Sequence, residues 1–217
     1  MSEAVVQQLR TMIRTGDLPI GERLPSEREL CEQLRVSRLS LREALRVLES
    51  SGLLEVRLGA RGGAFVTAPT AGQAGEGIVD LLSTSGLSAA NVTEARTLFE
   101  LGIVSVVAER ATDEDIRELR ALCDREERTR SQDTYTVDVS FDFHLRVAVT
   151  AHNPAVAMLL TSFREAILMS MWHAHHEGTQ GVDEHRAFVD AIERRDPEHA
   201  RRVMAAHLKR TADAVAQ

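Results

Sequence analysis

Residues 24–66 have the sequence LPSERELCEQLRVSRLSLREALRVLESSGLLEVRLGARGGAFV, which decides the fold of the N-terminal part of the chain. Ser26 is a favourable N-cap, and Glu29 completes a capping box for a helix that runs to about Leu34. Ser37 is the N-cap of a second helix, in which apolar residues recur at helical spacing. The stretch therefore predicts two consecutive helices joined by a short turn.

A small β-hairpin is expected after these helices. The second helix runs to about Ser50, Gly52 closes it, and residues 53–57 and 64–67 have the composition of short strands. The segment LGARGG between them supplies the glycines of a tight turn. Because an amphipathic helix over about residues 3–15 precedes the stretch, the order of elements is that of a winged helix-turn-helix.

The second helix of the pair carries the side chains of a DNA-reading element. Leu41 and Leu48 share one face and are expected to pack inward, whereas arginines recur every four residues on another face. Arginine reads guanine in the major groove through paired hydrogen bonds, and serine binds phosphates or base edges. The alternative is a solvated charged face whose arginines pair with Glu43 and Glu49. A following wing that carries Arg61 favours DNA reading. The candidates on the helix are Arg38, Arg42 and Arg46, with Ser37 and Ser40 at its start.

The segments LPSERE, VSRLSLREAL and GLLEVR together resemble the DNA-binding domain of the GntR family, over about residues 5–67. The resemblance implies binding to double-stranded operator DNA. Leu39 departs from the family, in which threonine is common, and a leucine can touch a thymine methyl group but cannot donate to phosphate. By this resemblance the expected DNA-contacting positions are Arg28, Arg38, Arg42 and Gly62, with Ser37 and Ser40 as phosphate or base partners.

The composition changes at a candidate linker. Residues 68–77, APTAGQAGEG, show no apolar period, so we expect a linker between a DNA-binding domain at 1–67 and a second domain at 78–217. The net charge of −7 belongs to the second part, because residues 1–66 hold 10 Lys and Arg against 9 Asp and Glu. No apolar stretch has the length of a membrane span, and the N-terminus lacks the apolar core of a signal peptide. We therefore expect a cytoplasmic protein with no membrane partner.

The second part is almost wholly helical in pattern. The segments EARTLFELGIVSVVAERAT, FDFHLRVAVTAHNP and DEHRAFVDAIERRDPEHARRVMAAHL resemble the FCD ligand-binding domain of the FadR-like subgroup. This resemblance implies an antiparallel all-α helical bundle that binds a small-molecule effector and forms a homodimer. The expected fold class is mainly α: a winged helix-turn-helix with a small β-hairpin wing, followed by an FCD-like bundle.

Three histidines are candidate metal ligands. His144, His185 and His207 each share the apolar face of a separate predicted helix, and bundle interiors are where such ligands converge. Imidazole suits zinc and nickel. Many FCD domains hold a divalent metal on three histidines and one aspartate, and that metal helps to bind a carboxylate effector. The family's acidic ligand lies four residues before the first histidine, where this chain has Ser140, and Asp142 is turned about 200° away from His144.

This serine leaves three interpretations open. The site can be three histidines completed by water or effector oxygens, which is our hypothesis. It can also bind metal more weakly than in relatives, or be empty, with the histidines contacting the effector directly. Arg96 is the second candidate: it is either half of a surface i, i+4 ion pair with Glu100 or, as the resemblance implies, a clamp for an effector carboxylate.

These patterns predict a transcriptional regulator. In the regulators that it resembles, repression that is relieved when the effector binds is the commoner mode of action, and a carboxylate is the expected effector. GntR-type regulators resemble one another in binding palindromic operators as homodimers. One alternative is a regulator for which the metal itself is the signal. The other is a metal-dependent hydrolase, against which stands the lack of an HExxH motif or a nucleophile turn. We expect no enzymatic activity.

Overall fold

The computed structural model describes residues 2–59, 62–173 and 180–215. The chain divides into two compact units, Met1–Ala74 (unit 1) and Gly75–Gln217 (unit 2).

Unit 1 is a winged helix-turn-helix, which confirms the predicted fold. The predicted capping box is present: the Ser26 hydroxyl accepts from the Glu29 backbone N–H, and Glu29 Oε2 accepts from the Ser26 N–H at 2.8 Å. Leu9, Leu41 and Leu48 are fully buried and tie the helices together through one apolar core. The elements are α1 (Ser2–Thr15), α2 (Glu27–Leu34), α3 (Arg38–Ser50), β1 (Leu54–Arg57) and β2 (Gly63–Val66).

The wing is an antiparallel pair of β1 and β2. Gly62 lies in its turn, where a Cβ atom would come within 2.3 Å of a backbone carbonyl oxygen of β1, so any side chain would displace the backbone. The segment before α2 adds a pairing that the sequence analysis did not predict, because the Leu24 N–H donates to the Ala64 carbonyl at 2.8 Å. The turn after α1 is thereby tied to the wing.

A further helix, α4 (Ala71–Thr84), covers residues 71–77 of the expected linker. The Thr70 hydroxyl accepts from the Gln73 N–H at 3.2 Å, and Gln73 Oε1 accepts from the Thr70 N–H at 2.9 Å. This reciprocal cap starts the helix. Each glycine lowers helix stability by about 1 kcal/mol relative to alanine. The glycine-rich composition therefore predicts an irregular segment, whereas the structure has a capped helix there.

Unit 2 is an all-helical bundle, as predicted. Thr112 and Asp115 form a capping box at the start of α6, and Phe143 and Phe188 are fully buried in the main apolar core. Helix α11 packs along α5 and α10. The helices are α5 (Ala89–Arg110), α6 (Asp113–Ser131), α7 (Val137–Thr150), α8 (Pro154–Ser162), α9 (Arg164–His173), α10 (Gln180–Glu193) and α11 (Pro197–Val215).

Within the described ranges, no single helix has both the length and the apolar character needed to cross a membrane. Helices α8 and α9 meet both criteria only when taken together, and they are bent by 51° relative to each other.

Candidate functional site

The three candidate metal-binding histidines meet in the interior of unit 2. His144 comes from α7, His185 from α10 and His207 from α11, and all three are buried. His207 Nε2 lies 3.2 Å from His144 Nε2 and 3.3 Å from His185 Nε2. Phe143 stacks on the His185 ring with 3.9 Å between the ring centroids, which holds that ring in place. These three histidines are called the histidine cluster below.

A carboxylate orients each ring of the histidine cluster through the outer nitrogen, Nδ1. A carboxylate on one ring nitrogen of histidine points the other nitrogen at a metal and raises its basicity. All six side chains come from the helices of unit 2. The pairs are His144 with Glu100 at 2.6 Å, His185 with Glu126 at 2.9 Å, and His207 with Glu184 at 2.7 Å. Glu100, Glu126 and Glu184 are called the outer carboxylates below.

The surroundings lower the carboxyl pKa of the outer carboxylates and the imidazole pKa of His144 and His207. Burial raises the carboxyl pKa of Glu126, but His185 and Arg130 outweigh it and hold that pKa at about 2. Burial lowers the pKa of His144 to about 4 against the opposing charge of its carboxylate partner, and it lowers the pKa of His207 well below the usual range. An ionised carboxylate can only accept, so Nδ1 carries the proton in each pair, and neutral His144 and His207 present the lone pair of Nε2 to the cluster.

The inner nitrogens fit a divalent metal ion. Neutral Nε2 atoms that carry no proton have nothing to donate to one another at 3.2–3.3 Å, whereas a cation between them satisfies all three lone pairs. Zinc–nitrogen bonds of about 2.0–2.1 Å at tetrahedral angles place two nitrogens about 3.3–3.4 Å apart. The geometry and the donor set are therefore those of a site that could hold zinc or nickel.

Arg96 lies beside the cluster as a buried cation. Its Nε donates to Glu100 Oε1 at 2.6 Å, and both side chains are 1% exposed, so the interpretation as a surface ion pair is wrong. No acceptor among the described residues contacts its terminal nitrogens, Nη1 and Nη2, which are buried. Its charge contributes to the lowered pKa of both His144 and His207. A buried guanidinium with two unmet donors is suited to an anion such as a carboxylate.

Two polar residues of α7 do not join the cluster. Asp142 forms an ion pair with Arg125 at 2.9 Å near the surface. It therefore points away from His144, as its position on the helix predicts. Ser140 is buried one turn before His144. In the described part of the chain, the group of side chains that could hold a metal contains the three histidines and no carboxylate.

Sequence reasoning missed Glu126 and Glu184 as partners of the histidines. Glu184 directly precedes His185 but contacts His207, so chain adjacency gives no hint of its partner. Glu126 belongs to an acidic and basic run that is typical of a solvated helix face. The available signal was its spacing, because Glu126 lies on the same face of α6 as the buried Cys123.

The candidate DNA-reading arginines of unit 1 are on its surface. Arg28, Arg38, Arg42 and Arg46 are all exposed. Arg42 Nε donates to a carboxylate oxygen of Glu27 on α2 at 2.9 Å, a different partner from the Glu43 and Glu49 of the alternative interpretation. Such an exposed pair contributes at most about 1 kcal/mol, so it can exchange for a stronger partner.

The serines and the wing glycine have local structural roles in unit 1. The Ser37 hydroxyl caps α3 by accepting from the Ser40 N–H at 3.1 Å, and the two hydroxyl oxygens lie 2.9 Å apart. Gly62 occupies a turn without room for a side chain. The prediction for Arg61 concerns a residue outside the described ranges.

Both halves of the chain match known families. Residues 1–66 match the family described as bacterial regulatory proteins, gntR family, and residues 91–210 match the FCD domain. The chain is 35% identical to the HTH-type transcriptional repressor NanR of Escherichia coli, over 96% of this chain and 81% of that protein. It is 34% identical to NanR of Klebsiella aerogenes, over 96% and 83%.

Solved structures show the same fold. Streptococcus agalactiae GntR has a TM-score of 0.75 at 26% identity, covering 98% of this chain and 99% of that one. E. coli McbR/YncC has a TM-score of 0.52 at 22% identity, covering 100% and 97%, and supports the fold alone.

Proposed function

The chain belongs to the gntR family of bacterial regulatory proteins and carries an FCD domain, and from this premise we propose that it is a repressor controlled by a carboxylate effector and a divalent metal. As a family member it is a DNA-binding transcriptional regulator and not an enzyme. In this proposal residues 1–67 bind operator DNA in the cytoplasm. Residues 68–77 link this domain to residues 78–217, which bind the effector and form the dimer. Repression is inferred from NanR, which is named a repressor.

The buried guanidinium of Arg96 is the observation that carries the effector proposal. A charged donor that is buried and unpaired costs more free energy than a neutral donor in the same situation. Nη1 and Nη2 of Arg96 therefore favour a ligand that brings acceptor oxygens. A carboxylate fits because its two oxygens match the two-pronged guanidinium. Arg96 also borders a cavity of about 210 Å³ with apolar walls from α8 and α9, which can take a small nonpolar group.

The histidine cluster supports a metal as part of the effector site. His144, His185 and His207 would hold the ion, with zinc or nickel as the expected metals. A bound ion would supply positive charge and a Lewis acid for an effector oxygen. The outer carboxylates hold the rings and Arg96 holds the effector. A regulator for which the metal alone is the signal is the competing function, since the group of side chains that could hold a metal does not include Arg96.

A second copy of the chain is the expected partner at the surface of unit 2. Leu98 on α5, Met158 and Leu159 on α8, and Met169 and Trp172 on α9 are between 53% and 71% exposed. Exposed apolar groups of this size are typical of protein contacts. A homodimer would present two copies of α3 to the half-sites of a palindromic operator. The effector would then shift operator affinity by its preference for one arrangement of the dimer.

The proposal is tested with an operator obtained by selection from random duplexes. Operator binding is measured by fluorescence anisotropy with metal-depleted protein, with added zinc, and with zinc plus a panel of small carboxylates. We expect one carboxylate to lower operator affinity at least tenfold. Arg96→Ala should bind the operator within about twofold of the parent and lose that response, with Arg96→Lys as a variant that keeps the buried charge.

Arg125→Ala is the matched control, because it removes an arginine from a surface ion pair of the same unit and should respond like the parent. An unchanged carboxylate response in Arg96→Ala would contradict the assigned role. A response to zinc alone, with none to any carboxylate, would establish the metal-sensing alternative instead.

A further inference from the structure

The turn between α2 and α3 depends on one residue in the left-handed backbone conformation. Arg35 has φ 54° and ψ 47° at the C-terminal end of α2. The next residue, Val36, donates its N–H to the Cys31 carbonyl at 3.1 Å, and both residues pack against the core of unit 1. This is the hydrogen bond of a Schellman ending, in which the left-handed position is usually glycine. A residue with a Cβ atom costs conformational free energy there.

No polar contact among the described residues offsets this cost at Arg35. Four described residues other than glycine have a positive φ: Arg35, Asp133, His152 and Arg195. Aspartate tolerates this conformation. His152 lies 2.8 Å from a buried carboxylate, and Arg195 donates to backbone carbonyls at the end of α5. The Arg35 side chain is exposed and forms no hydrogen bond or ion pair with any described residue.

The position of Arg35 in the fold supplies a reason for an arginine in this turn. In a helix-turn-helix, the first helix crosses the sugar–phosphate backbone, and the N-terminal residues of the second helix enter the major groove. Arg35 lies in the turn that joins these two helices, three residues before the exposed Arg38. A strained residue without a structural partner indicates a functional contact.

Charge complementarity identifies the other side of that contact as phosphate. Residues 1–66 hold 10 Lys and Arg against 9 Asp and Glu, so this part of the chain has little net charge with which to attract a polyanion. The charge of Arg42 is partly offset by Glu27 at 2.9 Å, whereas that of Arg35 has no acidic partner in the described ranges. Arginine and phosphate form short, charge-assisted hydrogen bonds.

We propose that Arg35 binds a phosphate of the operator backbone and that the strain of its turn is tolerated for this contact. The inference uses only the DNA binding of the family and goes beyond the proposed control by an effector. A phosphate contact fixes the orientation of the protein but carries no sequence information. Replacing Arg35 by glycine should therefore make unit 1 more stable and weaken its binding to every DNA sequence.

The test measures DNA binding of the full chain by fluorescence anisotropy, on the selected operator and on a random-sequence duplex, between about 50 and 200 mM KCl. Each phosphate contact contributes about 0.9 to the slope of log affinity against log salt concentration, which corresponds to about eightfold in affinity at about 0.1 M relative to about 1 M salt. Arg35→Gly and Arg35→Gln should both lose about this much on both duplexes. The ratio of operator affinity to random affinity should stay within about twofold of the parent.

Urea titration of the same variants separates the strain from the charge. Arg35→Gly should raise the equilibrium constant for folding of unit 1 about two- to fivefold, because the relieved strain exceeds the added freedom of the unfolded chain. Arg35→Gln keeps the Cβ atom and should leave that constant unchanged. Arg35→Lys keeps the charge and should retain the salt slope. Arg14→Gln is the matched control, because it removes an exposed arginine of unit 1 from α1, outside the helix pair, and should keep the slope of the parent.

Lower salt slopes in both neutral variants, with a more stable fold in Arg35→Gly alone, are the expected result. A slope that neither variant changes would overturn the phosphate contact. A loss of affinity on the operator but not on the random duplex would also overturn it, since that pattern belongs to a base contact. A less stable Arg35→Gly would show that the arginine supports the turn itself, and the inference would fail.

Discussion

Glu126→Gln should weaken metal binding, although Glu126 is not itself one of the proposed metal ligands. The Glu126 carboxylate is 1% exposed, accepts from His185 Nδ1 at 2.9 Å, and accepts from Arg130 Nη2 at 2.9 Å. An amide keeps the shape but removes the charge. A charged hydrogen bond contributes about 1.5–3 kcal/mol and a neutral one about 0.5–1.5, so the change costs about 1–1.5 kcal/mol at His185. That difference is about tenfold in affinity, at the lower end of the 10–100-fold effects typical of such partners.

The assay is competition between the protein and a coloured chelator for zinc, with thermal unfolding of metal-free protein as the folding control. Glu127→Gln is the matched variant, because it removes the neighbouring carboxylate on the same helix from an exposed pair with Arg186. Its zinc affinity should stay within twofold of the parent. Equal zinc affinity in both variants would show that Glu126 does not support His185 as a ligand, and the argument from the outer carboxylates would fail.

Three further predictions concern other parts of the chain. Leu41→Ala empties a fully buried position in unit 1 and should lower the free energy of unfolding by about 2–5 kcal/mol in urea titration; a loss below 1 would contradict the assigned core. Arg38→Ala, at an exposed position on α3, should weaken operator binding about 5–150-fold in anisotropy without changing the thermal midpoint. Asp115 has a pKa below its usual value because its hydrogen bonds to Thr112 and His152 outweigh burial. Its stabilisation is therefore present above the unfolded pKa of about 3.9 and is lost as pH falls through the lower folded value, so the stability gap between Asp115→Asn and the parent should shrink at acid pH. A gap that widened there would refute the sign.

Local signals were sufficient where the structure depends on neighbours in the chain. The capping box of Ser26 and Glu29, the apolar spacing of α3 and the glycine-rich turn of the wing all act within a few residues, so the winged helix-turn-helix could be predicted. The same kind of signal, Thr70 with Gln73, was present at α4. The glycines that follow are typical of a linker and mask this signal in the sequence.

The candidate site shows the limit of such reasoning. Helical periodicity predicts that His144, His185 and His207 point inward, because each sits on the apolar face of its own helix. It does not predict that their Nε2 atoms meet within 3.2–3.3 Å, since that distance depends on how three helices pack. Spacing alone also left Arg96 and Glu100 open to interpretation as a surface pair, and only packing buries them.

The sequence by itself determined the element order, the inward faces of the helices and the absence of a carboxylate at position 140, because these follow from residue identity and local hydrogen bonding. The tertiary structure decided which carboxylate orients each histidine, which arginine balances each carboxylate, and which donors are left unmet. Those properties depend on distances between side chains of different helices, and burial at those distances is what turns ordinary charged residues into a candidate binding site.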